Sequence, residues 1–383
     1  MCDSFLPFTK PTIDEETIDS VVQVLRSGQL TNGPQVIQFE KQLSDYLAGR
    51  AVRTFNSGTS ALQIALRIIG IEQGDEIITT PLSWVATAHS IVINHGTPVF
   101  VDIDPQTRNL DLNQVEQAIT SRTKVILPVH LAGLPVDMDR LYQIANKYQL
   151  RVVEDAAQAF GSLWNGKPIG SFGDLVVFSF QANKNLTTAE GGALVLNNQQ
   201  EVEQAEIYRM QGIQYHHKQP YDVISLSAKF NMNDICATIG IGQLKQIDQN
   251  NQLRKQLAQH YFHCFGQDFE DKYQVQLPIY DMNNTNWHMF QIVLPQQQQQ
   301  IHSIRTNFIQ HMKQQGIGVG IHYPPIHLFT FYQQQFPSKS NMFPIAERVG
   351  QLIVTLPLFP TMTFQHVQRV VDAIRLFFDT NKK

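Results

Sequence analysis

A lysine at position 184 follows an apolar run, Leu175–Phe180, that is typical of a buried strand. Hydroxyl and amide side chains surround it, and the glycine-containing run Glu190-Gly191-Gly192 follows. Removal from water lowers the pKa of an amine and makes it a better nucleophile toward an aldehyde. Most loop lysines are solvated surface charges, so this position alone leaves two interpretations open: a nucleophilic amine or a surface cation.

A carboxylate, Asp155, stands at the end of a second predicted strand, Arg151–Glu154. A carboxylate with little water around it requires a cationic partner. The protonated ring nitrogen of pyridoxal phosphate (PLP) would be one, and its protonation makes that cofactor an electron sink. The alternative is that Asp155 caps the next helix.

Two further groups follow predicted strands. The run Asn56-Ser57-Gly58-Thr59-Ser60 opens a helical pattern, so its free N–H groups and the helix dipole could hold a phosphate. Trp84 lies where its indole could stack on an aromatic ring. An ordinary helix N-cap explains the first group equally well, and packing between sheet and helix explains Trp84.

These groups can act together only if a scaffold brings distant strand ends to one place. The short apolar runs predict seven strands: Ala51–Phe55, Glu76–Thr79, Pro98–Val101, Val125–Val129, Arg151–Glu154, Leu175–Phe180 and Ala193–Leu196. Helical patterns such as Ser60–Ile69 and Asp139–Tyr148 separate them, which predicts an α/β fold with a mostly parallel sheet. Ligands bind beyond the carboxyl ends of such strands, where all four groups lie, so their coincidence favours a PLP site.

Two domains are predicted, a large one over residues 1–255 and a smaller C-terminal α+β domain over residues 256–383. The 383 residues, 43% of them hydrophobic, suffice for two cores. A long helical stretch spans Ile239–His263 near this division. The glutamine run that follows, Gln296–Gln300, is predicted to be a surface loop.

An N-terminal helix is predicted to begin at Thr12, because Glu15 stands at capping-box spacing from it. Apolar residues then recur with helical periodicity up to Gly28, which is predicted to end the helix.

The composition argues against several classes of protein. A net charge of −4 gives no basic surface for nucleic acid. The N-terminus lacks the pattern of a signal peptide, and no run reaches about 18 apolar residues, so we expect no membrane segment. The three cysteines, Cys2, Cys236 and Cys264, form no metal-binding pattern; we therefore expect no metal site and a cytoplasmic protein.

At these residues, and nearly from end to end, the sequence resembles the DegT/DnrJ/EryC1/StrS family of PLP-dependent sugar aminotransferases. That family has the aspartate aminotransferase fold, the type I fold of PLP enzymes. The resemblance is strongest in Glu154-Asp155-Ala156-Ala157-Gln158, in Ser179-Phe180 with Lys184-Asn185, and in Glu190-Gly191-Gly192.

The resemblance implies a role for each matching residue. Lys184 would form the Schiff base with PLP and move the proton between cofactor and substrate carbons, and Asp155 would bind the pyridine nitrogen. The implied remaining contacts of the cofactor are the phenolic oxygen with Gln158, the ring face with Trp84, and the phosphate with Gly58, Thr59 and Ser179.

Members of the family are usually homodimers in which a neighbouring chain contributes a phosphate contact, from a motif that here begins at Lys229 and ends at Asp234. The family more often has asparagine at position 229 and arginine where Asn231 stands. Lys229 could meet the PLP phosphate or the diphosphate of a nucleotide substrate. His322 is similarly open, as a substrate contact or a structural residue.

The implied reaction moves an amino group, from L-glutamate, to a keto sugar of a nucleotide-linked hexose. One alternative is a PLP-dependent sugar dehydratase or deoxygenase on the same scaffold; such relatives tend to replace the lysine with histidine, so Lys184 argues against it. A regulatory PLP-binding protein without catalysis is the other alternative. A dinucleotide-dependent dehydrogenase is disfavoured because no GxGxxG motif follows the first strand.

Overall fold

The computed structural model describes residues 5–215, 220–296, 301–337 and 341–380. The α-helices are α1 (Glu15–Ser27), α2 (Pro34–Tyr46), α3 (Gly58–Ile69), α4 (Ala86–Ile93), α5 (Leu112–Ala118), α6 (Met138–Tyr148), α7 (Gln199–Arg209), α8 (Asp234–Phe265), α9 (Phe269–Tyr273), α10 (Ile301–Gln314), α11 (Thr330–Gln335), α12 (Pro344–Leu352) and α13 (Phe364–Thr380). Short 3₁₀ helices span Leu131–Gly133 and Ile326–Leu328.

The strands are β1 (Ala51–Phe55), β2 (Glu76–Thr79), β3 (Thr97–Phe100), β4 (Thr123–Leu127), β5 (Arg151–Asp155), β6 (Leu163–Trp164), β7 (Lys167–Pro168), β8 (Leu175–Ser179), β9 (Gly192–Leu196), β10 (Ile213–Gln214), β11 (Asp222–Val223), β12 (Phe290–Val293) and β13 (Ile353–Leu356). Seven of them form one sheet in the order β1-β9-β8-β5-β4-β2-β3. These are the seven predicted strands, with bounds that differ by at most two residues.

The sheet is mostly parallel, as predicted. Strand β9 is the exception, because it runs antiparallel to both of its neighbours, β1 and β8. The other six strands point the same way, so their carboxyl ends and the amino end of β9 lie at one edge. The four groups that the sequence places after strands, around Gly58, Trp84, Asp155 and Lys184, lie at this edge.

The prediction for the start of the first helix was wrong. Helix α1 begins at Glu15, and its N-cap is Asp14, whose carboxylate accepts a hydrogen bond from the N–H of Thr17 at 2.8 Å. The carbonyl of Thr12 instead accepts from the side chain of Gln243 on α8, which holds Thr12 outside the helix. The predicted end at Gly28 is confirmed: its φ of 74° breaks the helix in the left-handed region.

A second core lies beside the sheet. There the antiparallel pair β12–β13 packs with α10, α12 and α13. Helix α8 joins the two cores: Ile241 and Ile247 pack in the core of the sheet, and Leu257 and Tyr261 in the second core. The division after residue 255 lies inside this helix and stays a prediction. Leu6 packs in the second core, although the predicted division assigns it to the first domain.

Some sequence features fall outside these ranges. Four residues of the predicted glutamine loop, 297–300, and the cysteine at position 2 lie outside the described residues. Cys236 and Cys264 are free thiols. Within the described ranges, no helix combines the length and the apolar character needed to cross a bilayer.

Candidate active site

A cavity of about 420 Å³ opens at the edge where the strand ends meet, which is within the usual size range of cofactor and ligand pockets. Its wall contains the predicted residues Gly58, Thr59, Trp84, Asp155, Gln158, Ser179 and Lys184. The structure thus brings together seven of the eight residues that the sequence singled out, from segments up to about 130 positions apart. Lys229, the eighth, is exposed and is not part of this wall.

The amino end of α3 forms one side of the cavity. Ser57 is the N-cap, and its hydroxyl is occupied by the N–H and the hydroxyl of Ser60. The N–H groups of Gly58 and Thr59 are in the first turn and have no partner within the helix. A Cβ at position 58 would lie 2.9 Å from the Cβ of Ser179, so glycine allows β8 and the helix end to approach each other closely. Backbone donors and two hydroxyls, Thr59 and Ser179, therefore face a common space that suits an anion.

Asp155 ends β5 and is 5% exposed. Its carboxylate accepts hydrogen bonds from the Thr87 hydroxyl at 2.7 Å and from the N–H of Ala157 at 3.2 Å. No cation among the described residues lies within ion-pair distance of it. Burial raises the pKa of this carboxyl, an effect that these two hydrogen bonds and the charge of Lys184 partly oppose. The site has a carboxylate that a bound cationic N–H would stabilise.

Thr87 holds this carboxylate in place, and sequence analysis did not assign it. Its hydroxyl donates to Asp155, so it accepts in turn from Ser83, 2.9 Å away. Both hydroxyls are buried; Ser83 lies just before α4, and Thr87 lies in its first turn. The four-residue spacing of Ser83 and Thr87 was the available signal, since it allows two side chains to face the same way.

Lys184 lies in the loop between β8 and β9, where its side chain lines the cavity. Burial lowers the pKa of its amine to about 8, although the negative charge of Asp155 acts in the opposite direction. Within the described ranges, no hydrogen bond or ion pair engages its Nζ atom. A substantial fraction of this amine is therefore neutral near physiological pH and free to react.

Gln158 and Tyr323 form the wall next to Asp155. The amide oxygen of Gln158 accepts from the N–H of Ala132 at 2.6 Å, and its nitrogen donates to the hydroxyl of Tyr323 at 3.2 Å. Burial and the charge of Asp155 raise the pKa of Tyr323, so its hydroxyl keeps its proton. Tyr323 lies 165 residues from Gln158 along the chain. It does not follow a predicted strand, so a search for polar residues at strand ends could not have found it.

His322 also lines the cavity. Its Nδ1 atom is 2.8 Å from the hydroxyl of Thr355, and its ring stacks on Phe8 with 5.1 Å between centroids. Burial, aided by the charge of Lys184, lowers the pKa of His322 to about 4, so the ring is neutral above that pH.

Trp84 is 61% exposed at the mouth of the cavity, with its ring 6.0 Å from that of Tyr323. Its face is thus free to cover a ligand.

The residues present fit PLP. The helix end with Gly58 and Thr59 offers donors for a phosphate, and Asp155 is a buried carboxylate that lacks a cation. Lys184 is an unpaired amine with a lowered pKa in the same cavity. One cofactor with a phosphate, a ring nitrogen and an aldehyde would satisfy all three.

Comparison with known proteins agrees with this chemistry. Residues 11–375 match the sequence model of the DegT/DnrJ/EryC1/StrS aminotransferase family. Spore coat polysaccharide biosynthesis protein SpsC of Bacillus subtilis is 36% identical over 97% of this chain and 96% of its own. The UDP-4-amino-4-deoxy-L-arabinose–oxoglutarate aminotransferase of Shewanella sediminis is 34% identical over 98% of both chains.

Among solved structures, the putative sugar aminotransferase Spr1654 from Streptococcus pneumoniae superposes in its PMP form with a TM-score of 0.91, at 30% identity and with 98% of both chains covered. Its PLP form superposes with a TM-score of 0.90. The fold is therefore the type I fold of PLP aminotransferases, as predicted, and the cofactor is PLP.

Proposed function

Because the chain belongs to the DegT/DnrJ/EryC1/StrS aminotransferase family, we propose that it transfers the amino group of L-glutamate to a keto group on a nucleotide-linked hexose. The observation that carries the proposal is the unpaired, partly neutral amine of Lys184 in one cavity with the buried Asp155. A relative whose name gives a UDP-linked amino sugar and oxoglutarate supports a nucleotide sugar and glutamate as the two substrates.

When bound, PLP supplies an aldehyde that condenses with amines and a ring nitrogen that, once protonated, draws electrons from the carbon bearing the amine. In this site Asp155 would hold the proton on the ring nitrogen. The amino end of α3, with Gly58 and Thr59, would hold the phosphate together with Ser179. Gln158 and Tyr323 would face the oxygen side of the ring, and Trp84 would cover one of its faces.

Lys184 would also move the proton between carbons. An amine with a pKa of about 8 takes up and returns a proton easily near neutral pH. His322 stays neutral there, so it can hydrogen-bond a substrate without adding a second positive charge next to Lys184. We place the role of His322 at the substrate side of the cavity.

We further propose that two copies of the chain share their active sites. The hairpin of β10 and β11 and the residues after it expose several large apolar side chains: Tyr215, Tyr221, Val223, Ile224 and Leu226. Such surfaces usually mark contacts between proteins. Lys229 follows these residues closely in the sequence and is also exposed. In a dimer formed through this surface, Lys229 of each copy would contact a phosphate of the ligands bound by the other copy.

The free thiols Cys236 and Cys264 support a reducing compartment, and we place the protein in the cytoplasm.

The alternative functions are less well supported. A dehydratase or deoxygenase of this fold tends to have histidine in place of Lys184. A regulatory protein that only binds PLP would have no need for an amine whose pKa is lowered toward neutrality. A protein that is yellow after purification and loses that colour when glutamate is added would exclude purely regulatory binding.

The variant Lys184→Ala tests the proposal. We expect it to lose both the yellow colour of bound PLP and amino transfer, since no other amine lines the cavity among the described residues. Lys147→Ala is the matched control, because Lys147 is an exposed surface lysine paired with Glu116, and it should keep both properties. Full activity in Lys184→Ala would overturn the assignment.

A substrate panel would identify the sugar. The protein would be incubated with L-glutamate and each of several 3-keto and 4-keto nucleotide sugars, and the products would be measured by mass spectrometry. An amino sugar from one of them, with release of 2-oxoglutarate, is the expected result. Transfer to simple keto acids only would contradict the proposed sugar substrate.

A further inference from the structure

Asn185, next to Lys184, has a side chain that bonds to three residues in two other parts of the fold, α8 and the segment before β12. It is 7% exposed. Its Nδ2 atom donates to the side-chain oxygen of Asn251 on α8 at 2.8 Å and to the main-chain carbonyl of Asn286 at 3.1 Å. Its Oδ1 atom is 3.0 Å from Nδ1 of His288. Its amide hydrogens and its oxygen are all engaged.

Within the part of the chain that the structure describes, the other hydrogen bonds close to Lys184 are local. The N–H of Lys184 donates to the carbonyl of Gln181, and that of Asn183 to the side chain of Gln181. The N–H of Thr188 and the hydroxyl of Thr187 donate to the carbonyl of Phe180, and the hydroxyl of Thr188 donates to the carbonyl of Glu190. These bonds shape the loop, and at its far end the backbone of Glu190 also meets the thiol of Cys236 on α8. Beside Lys184, the attachment to α8 and to the segment before β12 depends on Asn185 among the described residues.

The same contacts fix the proton of His288. The carbonyl of Asn286 can only accept, so the nitrogen of the Asn185 amide must face it and the oxygen must face His288. Nδ1 of His288 therefore carries the hydrogen, and Nε2 carries the lone pair. Burial, together with the charge of Lys184, places the pKa of His288 well below its usual value, in agreement with one proton on this ring.

We propose that Asn185 is a positioning residue, which holds the main chain at Lys184 so that its amine stays in the cavity. The inference rests on the proposed function of Lys184, but it concerns where the amine is held and not which substrate it serves. Without the Asn185 amide, Asn286, Asn251 and His288 would each lose a buried partner. The loop would then move toward solvent, and water would reach the amine.

The test measures the ionisation of Lys184 directly. The full-length chain, freed of PLP, would be labelled with acetic anhydride over a range of pH, and the Lys184 peptide would be quantified by mass spectrometry. In the wild type, labelling should reach its midpoint at about pH 8. In Asn185→Leu we expect the midpoint to rise by about one pH unit, toward the ordinary value of lysine. Three titratable groups interact electrostatically with Lys184: Asp155, His288 and His322. Asn185→Leu changes none of them.

Asn251→Ala provides a second, milder variant. It removes one acceptor of Asn185 without changing any residue beside Lys184. We expect a smaller rise in the labelling midpoint, and such a rise would be transmitted to Lys184 through the loop. Asn94→Leu is the matched control: its Nδ2 also donates two hydrogen bonds, to the carbonyls of Gln63 and Ser90, at the end of α4. Its midpoint should equal that of the wild type.

An unchanged midpoint in folded Asn185→Leu and Asn251→Ala would overturn the proposal, as would an equal rise in Asn94→Leu. Thermal unfolding followed by circular dichroism would show which variants are folded. Labelling does not depend on amino transfer, so a chain that transfers no amino group but shows the shift would refute the proposed function and keep this inference.

Discussion

The two ends of the central sheet differ in how their charged groups are paired. At the opposite end lies a larger cavity, about 890 Å³, bordered by Arg151, Asp174 and Glu201. There Arg151 forms ion pairs with Asp174 at 2.6 Å and with Glu201 at 2.8 Å. Hydrogen bonding to Asp174 raises the pKa of Arg151, so this pair is stabilised in its charged form.

The smaller cavity at the carboxyl ends of the strands has the opposite character. Asp155 lacks a cation, and the amine of Lys184 lacks any partner within the described residues. Unpaired charges of this kind are unfavourable for folding and are retained where a ligand completes them. The lack of ion-pair partners for Asp155 and Lys184 identifies the smaller cavity as the ligand site, whereas cavity volume would select the other one.

Removing the charge of Asp155 should lower activity more than the other substitutions compared below. In Asp155→Asn we expect amino transfer to fall by about a hundred- to a thousandfold, because an amide cannot hold a proton on the cofactor ring nitrogen. Steady-state kinetics on the PLP-loaded variant would measure the loss. Activity near that of the wild type would mean that Asp155 is only structural.

The ionisation of Lys184 should respond to the same change. Below about pH 8 most of its amine is protonated and unreactive, and above that pH most of it is neutral and labels readily. Since the charge of Asp155 raises this pKa, Asp155→Asn should shift the labelling midpoint of the PLP-free chain to lower pH. Asn185→Leu is expected to shift it the other way. Shifts of equal sign would contradict the proposed geometry.

The variant Gly58→Ala, which adds one methyl group, should weaken the phosphate site. Its Cβ would press on Ser179, moving the end of α3 away from β8, and we expect the Kd for PLP to rise about tenfold. Fluorescence titration with PLP would measure it. Gly49→Ala serves as the control: position 49 has open space and a φ of 82°, so it should lower stability but leave PLP affinity unchanged.

The smallest effect on activity is expected at the paired end of the sheet. Asp174→Asn removes the charge that pairs with Arg151, and its carboxylate also accepts from the N–H of Val152. The free energy of unfolding should fall by about 1–3 kcal/mol, with kcat within about twofold of the wild type because the site is remote. Chemical denaturation and kinetics together would check this. A large loss of activity with little loss of stability would show that the two ends are coupled.

Much of the fold was predictable from local patterns. Apolar runs of strand length, separated by helical periodicity, located the seven strands and their parallel arrangement. The antiparallel course of β9 was not predicted, because a short run such as Gly192–Leu196 carries no signal of direction. The start of α1 was misplaced since Thr12 and Asp14 are both good N-caps, and the contact of Thr12 with α8 decided between them.

The sequence by itself determined the chemical groups and their order along the chain: a helix end with Gly58, then Trp84, Asp155 and Lys184, each after a strand. Strand ends collect at one edge whatever the details of packing, so these groups had to meet there. Only the tertiary structure decided that Tyr323 and His322 complete the wall and that Asn185 ties the loop of Lys184 to α8 and the segment before β12. These contacts join residues that are tens to hundreds of positions apart, and local periodicity carries no information about such pairs.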